Sequence, residues 1–468
     1  MKSFTNRLWA FGVEWAKRVF VIHPRSLHTF RVGLGALVLL DLGVRAGALS
    51  DHYSDWGLLP RRALSDEPSA AFHFCVHAWG GSTWFEASLF ATAAILAVLL
   101  VLGRGGPAVT AALWALTVSL QNRNFMVLNK GDQILRLLLF WSVLLPLRQR
   151  EPVRSIGSAG LLIQVAIVWL VSASLKTSRD WFPDGTATYY ALQVDQGTTA
   201  LGRRIGSMFL LTKALTYGVY FAEWTAPLLL FSPFWTGPLR MLGIGALFVM
   251  HVGFALSMRL GIFPAISICS LVPFLPAALW ERLGPREATA SPRRAGRAAD
   301  AAALAALVLV LWINAASVHI APLAMPSSVK HLVQVLRLDQ SWAMFAPRPW
   351  RETNWLVATG RLPDGRIVDA YHPSLSPPSR TEPEHLSSTF SSPRWLYYVT
   401  NLAMPENARE RPWFARYLCR RFDRAHLAPL RLQEIDLVAF RQWALPDYQR
   451  TTPREETLWR GACEGDGR

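Results

Sequence analysis

Apolar residues in this chain gather into long runs separated by short polar stretches, near 28–48, 84–102, 107–124, 131–147, 157–176, 213–232, 238–258, 261–280 and 301–319. Each run spans roughly 17–21 residues, enough at ~1.5 Å per residue for a helix to cross the hydrocarbon layer of a bilayer. The pattern predicts a polytopic α-helical membrane protein with about nine transmembrane helices. The connections at 103–106 and 259–260 are so short that the helices they join should pack as tight hairpins. Ahead of the first run, Leu8, Phe11, Trp15 and Phe20 beside Lys17 and Arg18 read as an amphipathic helix lying on a membrane surface.

Beyond residue 320 the pattern changes. Trp342-Ala-Met-Phe345-Ala-Pro347 and then Asn354 to Ala370 read as two strands joined by a Pro-Asp-Gly turn. Residues 392–425 read as helical with interruptions near Pro405 and Pro412, and Leu430 to Phe440 alternates like a half-buried strand. The Ser- and Pro-rich stretch 373–389 reads as a loop. Three regions follow: a surface segment at 1–26, a multi-helix membrane domain at 27–320, and a small C-terminal α+β domain at 321–468.

Composition supports the membrane assignment. A hydrophobic fraction of 51% and a mean hydropathy of +0.22 are too high for an ordinary soluble domain. Loop charges then set the orientation through the excess of Lys and Arg on the cytoplasmic side. Lys2, Arg7, Lys17, Arg18 and Arg25 place the N-terminus in the cytoplasm, and Arg104, Arg148, Arg150, Arg154, Arg282, Arg286, Arg293, Arg294 and Arg297 fall on the same side if nine spans alternate. The loop 49–83 offsets Arg61 and Arg62 with Asp51, Asp55, Asp66 and Glu67, as an outside loop does. An odd number of spans exports the C-terminal domain. The net charge of +16 is explained by cytoplasmic anchors beside membrane lipids, not by nucleic-acid binding. Abundant Arg, Ala and Leu read as a bacterial coding sequence, so the inner (plasma) membrane is the expected location.

Of the four cysteines, Cys269 sits in an apolar run and reads as a small core residue. Cys75, Cys419 and Cys463 fall on the oxidising side, so one disulfide is expected, either Cys75 with Cys419 or Cys419 with Cys463. No Cys or His spacing points to a metal.

Charged side chains inside spans cost at least ~2.5–3.5 kcal/mol each, so they face partners or cavities. Here they crowd toward the outer leaflet. Asp41 and Arg45 are four residues apart, as are Asp132 and Arg136, so each couple is expected to form a structural ion pair. Glu86, Asn129, Lys176, Lys213, His251 and Arg259 belong to the same half, with Glu223 nearer the midplane. Lys176 ends the almost uncharged run Gly157–Leu175. Such a lysine either snorkels to the headgroups or is a base at the mouth of an apolar cavity. A hydrogen-bonded core histidine competes with a functional role for His251.

Several segments together resemble the horizontally transferred transmembrane (HTTM) family, whose best-known members are the vitamin K-dependent γ-carboxylases. They are Arg31-Val-Gly-Leu-Gly, Asp41-Leu-Gly-Val-Arg45, Tyr53-Ser-Asp-Trp-Gly57, Asn129-Lys-Gly-Asp132-Gln-Ile-Leu-Arg136, Lys176-Thr-Ser-Arg-Asp180-Trp181 with Gly185-Thr-Ala, Arg259-Leu-Gly-Ile-Phe263 and Gln340-Ser-Trp342-Ala-Met-Phe345-Ala-Pro347. They cover about residues 28–370. The resemblance implies Lys176 as the base that deprotonates a vitamin K hydroquinone-like quinol, with O₂ and CO₂ as co-reactants and glutamate of an exported protein or peptide as substrate. It implies His251 as a second catalytic residue and Trp181, Asn129 and Arg259 as substrate-binding. The chain departs from the carboxylases in two ways. Their further catalytic histidine would fall on or near Gly131, yet no histidine stands between His77 and His251. The large exported recognition region of the animal enzymes is also missing. Three functions are therefore weighed: a quinol-using carboxylase-like enzyme, an HTTM-type protein assisting maturation or export of a secreted peptide without carboxylation, and a transporter or lipid-handling protein. The last would show inverted repeats, which the sequence lacks.

Overall fold

The computed structural model describes residues 2–65, 74–284, 296–318, 325–426 and 430–463. Asp66, Glu67, Arg286, Arg293, Arg294 and the boundary at 320/321 lie outside the described residues. The surface helix α1 (Lys2–Val19) is followed by α2 (Pro24–Ala46), α3 (Thr83–Leu102), α4 (Gly106–Arg123), α5 (Lys130–Val143) and α6 (Ile156–Leu175). Then come the short α7 (Ala200–Gly206), α8 (Phe209–Leu230), α9 (Thr236–Ser257), α10 (Phe263–Leu271) and α11 (Arg297–Ser317). Caps mark the ends: Ser82 accepts from Phe85 N–H ahead of α3, and Gly103, at φ 69°, closes that helix in the left-handed region.

Five of these helices, α2, α3, α6, α9 and α11, are long and apolar enough to cross a membrane. Two more apolar segments are bent pairs: α7 with α8, at 103°, and Phe263–Phe274 with Ala277–Leu283, at 95°. Counting each as one crossing gives seven, where the apolar runs led to about nine. The difference has a physical origin. α5 has 14 residues, about 21 Å of helix, short of the ~30 Å hydrocarbon layer. The last turns of α4 hold the buried polar residues Ser119, Gln121, Asn122 and Arg123.

One end of the bundle gathers the ends of several helices. Ile22 bridges to Val153, Ile156 N–H donates to Asp300 Oδ1 at 2.9 Å, and Arg25 donates to the Trp280 carbonyl at 2.9 Å. At this end α1 rests on the turn between α8 and α9, where Trp15 Nε1 donates to the Phe231 carbonyl at 2.9 Å. Trp9, 76% exposed, points outward, as a surface helix requires.

The opposite end carries the C-terminal domain. Its antiparallel sheet, in the order β2-β1-β3-β4, is built from β1 (Glu352–Arg361), β2 (Ile367–Asp369), β3 (Glu434–Trp443) and β4 (Arg454–Ala462). Helix α13 (Arg411–Ala425) packs on it, and α12 (Pro393–Leu402) shares its apolar core. The Pro363-Asp364-Gly365 turn joins β1 to β2, as expected. Residues 342–347, read above as part of a strand, are instead an irregular segment anchored by the buried Trp342. The domain core takes in Leu58, Met126 and Val127 from loops of the helical bundle, so the two parts share apolar surface. Cys419 and Cys463 form the disulfide, tying α13 to the end of β4, while Cys75 stays a thiol beside the Ser119 carbonyl.

Candidate functional site

The uncharged run of α6 stops at Leu175, and Lys176 is its C-cap, with its N–H on the Ala173 carbonyl at 3.1 Å. Its side chain does not reach outward. Nζ turns back one helical turn to Ser172 Oγ at 2.7 Å and meets Glu223 Oε2 of α8 at 2.6 Å. Both residues are buried, at 4% and 3% exposure. The ammonium also lies 4.9 Å from the Trp181 ring centroid, and Trp181 is fixed by its Nε1 donating to the Phe345 carbonyl at 2.9 Å.

This pair is part of the wall of a cavity of about 1350 Å³ between the bundle and the C-terminal domain. Trp169, Val219, Phe254, Leu260 and Phe263 form its apolar side, and Asn129, Lys130, Gln133, Arg136 and Asp339 its polar side. Irregular residues 339–341 and 343–351, together with Glu352, Tyr397, Asn401 and Trp443, close it from the C-terminal domain. Burial pushes the Tyr397 phenol up to about 12, so it is a neutral hydrogen-bonding group at physiological pH. Lys130 makes no hydrogen bond or ion pair among the described residues.

Not all the expected site residues meet there. His251 does not line the cavity. It is fully buried, with Nδ1 on the Leu247 carbonyl at 2.6 Å and Nε2 without a partner. Its ring packs behind Trp169 (4.7 Å), Phe254 and Phe263 (5.9 Å each), all three of which are cavity wall. Arg259 is likewise off the wall, although Met258 and Leu260 on either side of it are on it. It donates instead to the Ser387 carbonyl, clamping the C-terminal domain to the bundle. Asn129 lines the cavity, but its Oδ1 is committed to capping α5, accepting from Gly131 N–H at 2.7 Å and Asp132 N–H at 3.3 Å. A Cβ on Gly131 would come within 2.9 Å of Asn129 Oδ1 and 3.0 Å of Phe263 Cα. Any side chain at that position would have to displace Asn129 or Phe263 slightly.

Asp41 and Arg45 pair as expected, at 2.7 Å. Asp132 and Arg136 do not pair with each other. Asp132 is held by Arg45 and by Arg394 of α12, whose Nη1 is at 2.5 Å and Nη2 at 2.8 Å. Arg394 also donates to Asp41 at 2.5 Å and the Val127 carbonyl at 2.9 Å. Arg136 turns to Asp339, at 2.9 Å, and to the Arg337 carbonyl. The long-range partners win because they bring two charges and the domain contact together, which one helical turn cannot.

Sequence reasoning missed three residues here: Glu223 as the partner of Lys176, Arg394 as the clamp, and Arg351, whose guanidinium stacks 3.5 Å over Tyr190 and bonds Asp180 at 2.5 Å. For Glu223 a signal existed, since a lone acid in an apolar helix needs a cation and Lys176 stands at the end of another apolar run. No group of three potential metal ligands occurs among the described residues. No protein-family profile matches the chain, nor does any curated protein or solved structure.

Proposed function

We propose that the chain is a bacterial inner-membrane enzyme that takes a lipid-soluble quinol into this cavity and exchanges a proton with the Lys176–Glu223 pair. In the fuller form implied by the HTTM resemblance, it modifies glutamate of an exported protein or peptide reached from the C-terminal domain, which then lies outside the cytoplasm. The observation that carries the reading is a buried Lys–Glu pair on the wall of a largely apolar cavity. A disulfide in the C-terminal domain supports its exported location.

The residues present fit such a ligand. The apolar wall of Trp169, Phe254 and Phe263 suits an aromatic head, and the volume exceeds the ~300–1,000 Å³ of ordinary small-molecule sites, leaving space for a peptide side chain. A bound quinol would supply reducing electrons and, with O₂, the strong base needed before CO₂ uptake. The chain's own contribution is electrostatic. A proton accepted from a bound hydroxyl sits on Glu223, and Lys176 keeps its charge as counter-ion to the oxygen left behind. The site's net charge is unchanged by that transfer, which matters where burial makes an isolated charge costly. Lys176 thus serves with Glu223 as one unit, and Tyr397 offers a neutral hydrogen-bonding group in the same cavity.

A second reading, an HTTM-type protein assisting maturation or export without carboxylation, draws on the packed Gly131 position. One experiment separates them. Lipids extracted from purified protein are searched for quinone, and quinol consumption under O₂ is followed with and without bicarbonate and a glutamate-containing peptide. Glu223→Gln should abolish consumption, while Lys176→Arg, which keeps the counter-charge, should retain part of it. Absence of both bound quinone and quinol consumption in wild type would remove the enzymatic reading.

A further inference from the structure

A second cleft lies at the opposite end of the bundle, between α2, the α3–α4 turn and the loop after α5. It measures about 260 Å³, and Arg31, Arg104 and Arg148 line it with no carboxylate among the lining residues. Arg31 is 5% exposed. Its Nη1 donates to the Leu100 carbonyl at 2.8 Å, its Nη2 faces His28 Nδ1 at 2.9 Å, and its Nε has no partner. The left-handed Gly103 makes this possible: a Cβ there would fall 2.1 Å from Arg31 Nη1. Arg104 and Arg148 are exposed and have no ion pair among the described residues.

Three guanidinium groups around one small acid-free cleft repel one another unless an anion joins them. Scattered topology-setting arginines would not require one of the three to be buried behind a glycine. The setting identifies the anion. α3 has 20 residues, about 30 Å of helix, so if Ser82 stands at one edge of the hydrocarbon layer, Gly103 stands at the headgroup level of the other. Leu100, Pro107, Leu145 and Leu147 give the cleft an apolar base. On the same helix Ile95, Val98 and Leu102 expose a stripe at helical spacing, 62%, 43% and 57% exposed, along which acyl chains can lie.

We infer that this cleft binds the phosphodiester headgroup of an anionic phospholipid, such as phosphatidylglycerol. The volume admits a headgroup and not a whole lipid, which leaves the chains in the bilayer beside α3. Guanidinium is the side chain suited to forked binding of phosphate oxygens, and basic clefts between helix ends are a recurrent form of lipid recognition.

The test uses the full chain purified in detergent, with thermal stability and native mass spectrometry as readouts. Phosphatidylglycerol should remain bound and raise the melting temperature, and phosphatidylcholine should not. Arg104→Gln with Arg148→Gln, both at exposed positions, should weaken phosphatidylglycerol retention by tenfold or more. Arg148→Glu supplies an internal anion, so it should fold at least as well as wild type without added lipid and lose the preference. Equal stabilisation by both lipids, or an unchanged preference in these variants, would overturn the inference. Inorganic phosphate matching phosphatidylglycerol at equal concentration would show a free-anion site and overturn the lipid assignment.

Discussion

Arg394→Gln should undo the joint between the two parts of the molecule. Arg394 belongs to the C-terminal domain, whereas Asp41, Arg45 and Asp132 belong to the bundle. The four side chains are 0–5% exposed and carry two positive and two negative charges. Removing Arg394 deletes bonds to Asp41, Asp132 and the Val127 carbonyl and leaves one buried negative charge in excess. Breaking a buried pair by removing one partner costs about 3–5 kcal/mol, roughly a hundredfold to a few thousandfold in the equilibrium it supports.

The charge count makes the prediction specific. Asp132→Asn together with Arg394→Gln leaves Asp41 and Arg45 as a balanced pair, so the double variant should be more stable than Arg394→Gln alone. Melting temperature in detergent gives the order, and amide exchange at the start of α5 and in α12 should rise first in the single variant. The exposed Arg409→Gln serves as control. If the single and double variants lose equal stability, or Arg394→Gln behaves like the control, the cluster is not balanced as described.

Three further outcomes follow from the same structure. Glu223→Gln should destabilise the bundle by stranding the Lys176 charge, whereas Lys176→Met with Glu223→Leu should recover stability in thermal melts and still lack quinol consumption. His52 and His77 are both held neutral down to about 3 by burial and by neighbouring arginines, against an ordinary value of 6.5. The unfolded chain therefore takes up protons below pH 6.5 that the folded chain refuses, and stability present above that pH falls by about 2 kcal/mol per histidine at pH 5. Melts from pH 8 to 5 should decline below pH 6.5, and less so in His52→Asn/His77→Asn. Reducing Cys419–Cys463, separated by 44 residues, should cost about 4 kcal/mol on the chain-entropy account, read as a lower denaturation midpoint of the C-terminal domain. An unchanged midpoint under reductant would show that the sheet and α13 hold together without the bond.

What the sequence disclosed depended on range. Apolar run length located the five long helices because bilayer thickness and helix rise leave few alternatives. The i,i+4 rule found Asp41–Arg45, since both partners stand on one helix. The same rule failed for Asp132 and Arg136, because it counts only contenders on the same helix and Arg394 comes from 262 residues away. Trp342 to Phe345 looked like strand from its aromatic content, yet those residues are used to anchor a loop, Trp342 Nε1 on Gln340 at 3.1 Å and the Phe345 carbonyl under Trp181. β4 went unread because Leu458 is its one buried residue and Arg454, Glu455, Glu456 and Arg460 give it the charge typical of an edge strand.

Lys176 illustrates the limit most clearly. A lysine at the end of an apolar helix poses a choice between snorkelling and a base at the mouth of a cavity, and the fold buries it on a cavity wall beside a carboxylate. Snorkelling extends the stem toward the headgroups, whereas here the stem folds back to Ser172, the residue one turn earlier, and the ammonium is covered. On the cavity side the ammonium does not stand alone, because Glu223 is in contact with it. The partner lies on a helix 47 residues along the chain, so nothing local to Lys176 announces it. Its presence changes the chemistry asked of the lysine. Under the proposed function, the paired ammonium retains its charge and the carboxylate receives the proton. Activity should then track the carboxylate at position 223 more strictly than the identity of the cation at 176, and a Lys176→Arg variant as inactive as Glu223→Gln would return the base role to the lysine itself.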